Sequence, residues 1–238
     1  MDWVGEVRDR VVPVAAGAGL GGRQLSVAVT VALALVLVQP LWRVARVAVT
    51  LVHELGHALV GMAVGRRFTG FVVRGDMSGH AVTSGPARGP GLALTTWAGY
   101  PAPALAGAGM VWLAVRGWSA PVVTVALGVV LLALVRIRSV FTVAVVGVAL
   151  AGLGSLWWWR ADGVQQQVLV AAGLVLVVGA WRHVVSVMGS RSPSDDPAAL
   201  AQLTHVPRLL WNTSFLVVAA ASTWLVVTQL LAQLRLPV

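Results

Sequence analysis

About seven long, almost purely apolar stretches divide this chain, and nothing else in the sequence limits its fold so tightly. They run approximately over 25–42, 46–64, 91–115, 119–135, 139–159, 164–181 and 208–232, and a membrane-crossing helix needs roughly 17–25 mostly apolar residues. Lipid offers no partner to a backbone N–H or C=O, so such segments must close their hydrogen bonds internally, as helices do. The chain is 58% hydrophobic and 11% charged, with a mean hydropathy of +0.86, well outside the range of soluble domains. The expected fold is therefore an all-α polytopic membrane protein of about six to seven transmembrane helices. It contains no cysteine, which excludes disulfides, thiolate metal ligands and cysteine nucleophiles.

Two connections are polar enough to be real loops. Residues 68–84 mix apolar residues with Gly-rich turn signals and predict a small β-hairpin; residues 189–207 hold the only paired acids, Asp195 and Asp196. The domain expectation is an N-terminal interfacial segment over 1–24 and a single transmembrane domain over 25–235. Residues 1–24 carry Asp2, Glu6 and Asp9, unlike a cleaved signal peptide; Trp3, Val4, Val7 and Val11 fall at helical spacing and predict a short helix on the membrane surface. Gly99, Pro101 and Pro103 predict a kink in the third stretch, and the tryptophans at 157–159 beside Arg160 an interfacial belt. The net charge of +9 comes entirely from arginine and suits headgroup anchoring, not nucleic acid. With seven strictly alternating spans, Arg8, 10, 23, 66, 67, 74, 88, 136, 138, 182, 191 and 208 share one face, against Arg43, 46, 116, 160 and 235 on the other. That bias predicts a cytoplasmic N-terminus.

Inside the second stretch, residues 50–61 read "TLVHELGHALVG". Buried ionisable groups in a membrane are costly, so His53, Glu54 and His57 require a function. Positions i and i+4 share a helix face, which lets both imidazoles bind one metal ion; Glu54, one residue after the first histidine, is placed as general base for a water that the metal activates. Gly56 keeps the helix surface open between the histidines. A polar helix contact without metal is the plain alternative reading.

A catalytic zinc commonly takes three protein ligands. His57 lies about 12 Å of helical rise before Arg66 and Arg67, so the third must reach that end of the helix, which excludes Asp162 and leaves Asp76, His80, His183, Asp195, Asp196 and His205. Asp196 is favoured, with Asp195 as alternate, because an aspartate N-cap followed by Pro197 and a helix-forming run is a rigid mount for a carboxylate. Asn212, the only asparagine, is a candidate for stabilising an oxyanion.

Three motifs, "HELGHAL" from His53, "AGYPAPALAG" from Ala98 and "SDDPAALAQLTHVP" from Ser194 before a span opening "RLLW", make the chain resemble the site-2 protease family of intramembrane zinc metallopeptidases, in its short bacterial M50B-like branch. The resemblance covers residues from about 45 to 215 and implies that His53, His57 and the late aspartate bind zinc, that Glu54 activates water, and that the site lies in a bacterial plasma membrane. It also implies substrates such as single-span regulators, for example membrane-bound anti-sigma factors. In better-studied members the third ligand lies within a span, whereas here the acids lie in a polar loop. A substrate helix must unwind before its carbonyls can be attacked, and the hairpin is placed to hold the unwound segment as an added strand. The competing classes are a non-catalytic metal-binding scaffold and a transporter; most spans carry no polar residue of the kind a transport path needs.

Overall fold

The computed structural model describes residues 3–14, 20–74 and 79–234. In chain order the elements are helices α1 (Trp3–Val11), α2 (Gly22–Leu37) and α3 (Gln39–Ala63), strands β1 (Arg67–Val73) and β2 (Gly79–Ser84), then helices α4 (Pro90–Trp97), α5 (Pro101–Ala114), α6 (Ser119–Leu134), α7 (Val140–Trp158), α8 (Asp162–Gly189), α9 (Asp196–Thr204) and α10 (Arg208–Leu234). Among the described residues four helices, α3, α7, α8 and α10, are long and apolar enough to cross a membrane. The other apolar helices, α2, α5 and α6, have 16, 14 and 16 residues. The expected all-α fold with a hairpin after the second stretch is present, whereas the six to seven spans are not matched by as many full-length helices.

The 28-residue α8 is the centre of the bundle. Against it α5 runs antiparallel at a separation only glycine permits: a Cβ on Gly107 would lie 2.5 Å from the carbonyl oxygen of Gly173, and one on Gly173 would lie 2.6 Å from that of Gly107. Where lipid removes the hydrophobic drive between helices, such small-residue contacts supply the packing. Two buried glutamines close the far end of α8: Gln165 donates to the Leu156 carbonyl at 2.8 Å and Gln166 to that of Ala114 at 2.9 Å.

Contacts along α8 also fix the direction of the first helices. Gln24 lies at Gly163, Val49 at Gly179, and the rings of His53 and His183 are 5.9 Å apart. So α2 and α3 both advance with α8. They meet at Val38, which is extended and caps both, and Pro40 takes a place in the first turn of α3, where its missing N–H costs nothing. This corrects the expectation of two antiparallel spans there. The consequence reaches the N-terminus: α1 sits beside the α7–α8 corner, where Arg10 lies over the rings of Trp157 and Trp158 at 5.4 and 4.6 Å and Arg160 bonds the Asp9 carbonyl. The α5–α6 corner is at that end too, since the Val14 N–H donates to the Gly117 carbonyl. Arg8 and Arg10 therefore share an end with Arg116 and Arg160, not with Arg66 and Arg67, which corrects the expectation that α1 shares a face with those two.

The strands pair antiparallel, from Arg67 opposite Ser84 to Val73 opposite Gly79, with a bulge between Phe68 and Gly70. The Phe71 N–H donates outward to the Arg136 carbonyl at 3.1 Å, so the α6–α7 turn forms a short parallel bridge with β1 at Ile137. With β1 flanked on both sides, the remaining edge of the sheet belongs to β2 and turns toward α3.

Candidate metal centre

Three donor atoms from two distant parts of the chain meet at the hairpin end of the bundle. His53 and His57 project from the same face of α3, and their Nε2 atoms are 3.1 Å apart. The Asp196 Oδ2 lies 3.3 Å from the first and 3.2 Å from the second. All three side chains are mostly buried, and the group is one that can hold a metal ion. Bonds of about 2.0–2.1 Å around a tetrahedral zinc place ligand atoms about 3.3 Å apart. The observed triangle agrees with that spacing and with the donor chemistry zinc prefers.

A second observation tests the fit. The α4–α5 corner passes directly over the triangle, and a Cβ on Gly99 would lie 2.3 Å from the His57 Nε2 and 2.6 Å from the His53 Nε2. The absence of a side chain at residue 99 thus leaves a space bordered by both imidazole nitrogens at little more than metal-bond length. The same corner is held against α3 by Gly56, where a Cβ would meet the Ala102 side chain at 2.4 Å and the Ala98 carbonyl oxygen at 2.8 Å. Gly56 therefore serves as the seat of the corner and is not an open surface between the histidines.

The surroundings orient the ligands. The His57 Nδ1 is 2.7 Å from the Thr95 carbonyl; a carbonyl can only accept, so Nδ1 carries the proton and Nε2 presents its lone pair. His53 packs edge-on against Tyr100, whose ring stacks on Phe215. Asp196 comes from the short helix α9, and here the structure corrects the capping assignment. Asp195 is the N-cap, its carboxylate accepting from the Ala198 N–H at 3.1 Å, and it pairs with Arg208 at 2.5 Å. Asp196 is the first helical residue, free of capping duty and directed at the histidines.

Glu54 is 4% exposed. Because Phe71 points its main-chain groups away from β2, its partner Ala81 points its own away from β1, and the Ala81 backbone hydrogen-bonds the Glu54 carboxylate. Gly79 closes on the same carboxylate, leaving 2.4 Å between its would-be Cβ and Oε1. The general-base candidate is thus held between its helix and the outer edge of β2.

A family model described as Peptidase M50B-like matches residues 26–226. The chain belongs to this family. M50 peptidases are zinc-dependent metallopeptidases, and the match spans every element that contributes to the centre. Comparisons with curated proteins and with solved structures give no match.

Within this M50B-like chain the other ligand candidates lie elsewhere. His80 is exposed on β2, His205 is the exposed C-cap of α9 with a φ of 59°, and His183 meets His53 edge-on without joining the triangle. Asp76 lies outside the described residues. Asn212 is buried on α10 and its Oδ1 has no hydrogen-bond partner among the described residues. Sequence reasoning missed Gly99, Gly79, Arg208 and the Thr95 carbonyl. Of these only Gly99 carries a signal in the sequence, as part of the Gly-Pro kink.

Proposed function

We propose that this protein is an intramembrane zinc metalloprotease that hydrolyses peptide bonds in or near the transmembrane segments of other membrane proteins. The observation that carries the reading is the triangle of two imidazole nitrogens and one carboxylate oxygen, 3.1–3.3 Å on a side, with Glu54 one residue from the first ligand. His53, His57 and Asp196 would hold the metal. Bound zinc supplies Lewis acidity, which makes water easier to deprotonate and a carbonyl easier to attack.

The remaining work falls to the chain itself. Glu54 accepts the proton of the attacking water and delivers it to the departing amine. The Thr95 carbonyl fixes the His57 tautomer, and the α4–α5 corner covers the centre on the side of Gly99. The outer edge of β2 runs past Glu54, so a substrate segment unwound from its helix and paired along that edge beyond Ala81 would bring its carbonyl to the water that Glu54 deprotonates. Single-span regulators, such as membrane-bound anti-sigma factors, are the proposed substrate class.

For orientation, the hairpin end of the bundle carries Arg66, Arg67, Arg74, Arg88, Arg136, Arg138, Arg191 and Arg208 on its connecting segments, while the opposite end carries Arg8, Arg10, Arg23, Arg116 and Arg160. This supports a site that opens toward the cytoplasm of a bacterial cell, with α1 on the other side.

The test is metal analysis of purified protein together with cleavage of co-expressed single-span reporters by wild type and Glu54→Gln. Stoichiometric zinc in both, with cleavage in wild type alone, is expected. Protein free of transition metal, or a Glu54→Gln variant that still cuts, refutes the reading.

A further inference from the structure

Behind the hairpin, on the side of β1 away from the metal centre, is a cavity of about 600 Å³ lined by Met62, Arg66, Arg67, Phe68, Thr69, Arg136 and Arg138. Four of these seven residues are arginines, and its volume falls in the range of small-ligand sites, about 300–1,000 Å³. Among the described residues none of the four forms an ion pair; the carboxylate pairs of the arginines belong to Arg10, Arg160 and Arg208. Like charges gathered this way repel, and an anion relieves the repulsion.

The cavity has a built framework. The bulge beside Thr69 turns its carbonyl outward, where Arg138 donates to it through Nε at 3.2 Å and Nη2 at 2.6 Å. Gly70, with a φ of 153°, makes the approach possible, since a Cβ there would come within 2.4 Å of the Arg138 Nε. Arg66 is fixed by the Thr83 hydroxyl and the Pro86 carbonyl, to which it donates. Two guanidinium groups are thus held by the main chain and its neighbours, those of the buried Arg66 and the exposed Arg138, while Arg67 and Arg136 are also exposed.

Its position selects the kind of anion. The exposed aliphatic side chains Leu131, Leu132 and Val135 end α6 immediately before Arg136, and Val140 and Val143 resume immediately after Arg138, at 87% and 53% exposure. A short cationic turn between two lipid-facing aliphatic runs marks the level of the headgroups. Met62 and Phe68 add apolar lining for the start of an acyl chain. We propose that this cavity is a phosphate-binding site that takes the headgroup of an anionic phospholipid. The site is independent of the metal centre, from which the sheet separates it.

The test compares the full chain with an Arg67→Gln/Arg136→Gln pair and with an Arg88→Gln/Arg191→Gln pair, which removes equal charge from exposed positions at the same end of the bundle. Each protein is released from micelles doped with phosphatidylglycerol, phosphatidylcholine or inorganic phosphate and weighed by native mass spectrometry; circular dichroism and zinc content confirm that all three are folded. Wild type and the control pair should retain one phosphatidylglycerol in preference to phosphatidylcholine, and the Arg67/Arg136 pair should retain about tenfold less, as expected for losing two charge-assisted contacts. Arginine-dependent retention of inorganic phosphate without phosphatidylglycerol would support the anion site and assign its occupant to solution. Equal retention of phosphatidylglycerol by both paired variants, or no anion retained by wild type, overturns the proposal.

Discussion

Replacing Gly99 by alanine is the sharpest perturbation the structure offers, because a single methyl group would enter the space beside both imidazole nitrogens. Its carbon would lie 2.3 Å from the His57 Nε2 and 2.6 Å from the His53 Nε2, against a comfortable separation of about 3.5 Å. One side must yield by about 1 Å. The corner cannot retreat freely, since Trp97 is tied to Ser214 at 2.9 Å and Tyr100 is stacked on Phe215. The rings must move instead, and a metal site tolerates only about 0.2 Å of ligand displacement. A zinc site worth about 12 kcal/mol over four ligands yields about 3 kcal/mol per ligand, so losing one imidazole lowers affinity by roughly a hundredfold. The assay is competition with a chromophoric chelator and elemental analysis of the purified protein. The control is Gly109→Ala, on helix α5 just beyond the corner, with nothing within 4 Å of its Cβ. Stoichiometric zinc in the Gly99→Ala protein, bound within tenfold of wild type, would refute the assignment of this space to a metal.

Gly79→Ala drives a methyl group against the Glu54 carboxylate, 2.4 Å from Oε1; reporter cleavage should fall by at least about tenfold while zinc content is unchanged, because a base must lie within hydrogen-bond reach of its proton. Asp196→Ala should abolish zinc binding and leave α9 in place, since the cap is Asp195, as amide exchange of residues 198–200 would show. Asp195→Ala removes the cap and the Arg208 pair together, which should cost about 1–3 kcal/mol in thermal unfolding and weaken zinc binding by about tenfold through a displaced Asp196. Gly173→Val overfills the α5–α8 contact, where a Cβ already lies 2.6 Å from the Gly107 carbonyl oxygen, and should destabilise the protein by about 1–3 kcal/mol in the same measurement.

The parts of the centre legible in the sequence are those set by local geometry. His53 and His57 share a face because any α-helix brings i and i+4 together, so no tertiary knowledge was needed to pair them. Asp196 was legible through the chemistry of helix starts, although the rule led to the wrong one of two adjacent acids as cap. That error is informative, because it shows why the motif has two aspartates: Asp195 spends its carboxylate on Ala198 and Arg208, which leaves Asp196 free for the histidines. Gly99 and Gly79 were not legible, because their meaning depends on what the rest of the chain brings within 3 Å of them.

The sidedness argument failed for a related reason. Counting arginines by face assumes that every apolar stretch reverses the chain, yet α2 and α3 are separated by Val38 alone, and a one-residue break bends a helix pair without requiring it to turn back. The hydropathy of 25–42 and 46–64 is the same for a bent path and for a hairpin. Contacts with α8 decide between them, since Gln24, Val49 and His53 meet Gly163, Gly179 and His183 in the same order. This bend also serves the centre. An α3 that keeps the direction of α8 arrives beside the end of that helix, where the chain leaves for α9, and His53 and His57 therefore meet a carboxylate presented only seven residues after α8 ends. Had α3 turned back along α2, its histidines would have finished at the far end of the bundle, beside Arg160 and Asp162, with Asp196 a full helix length away.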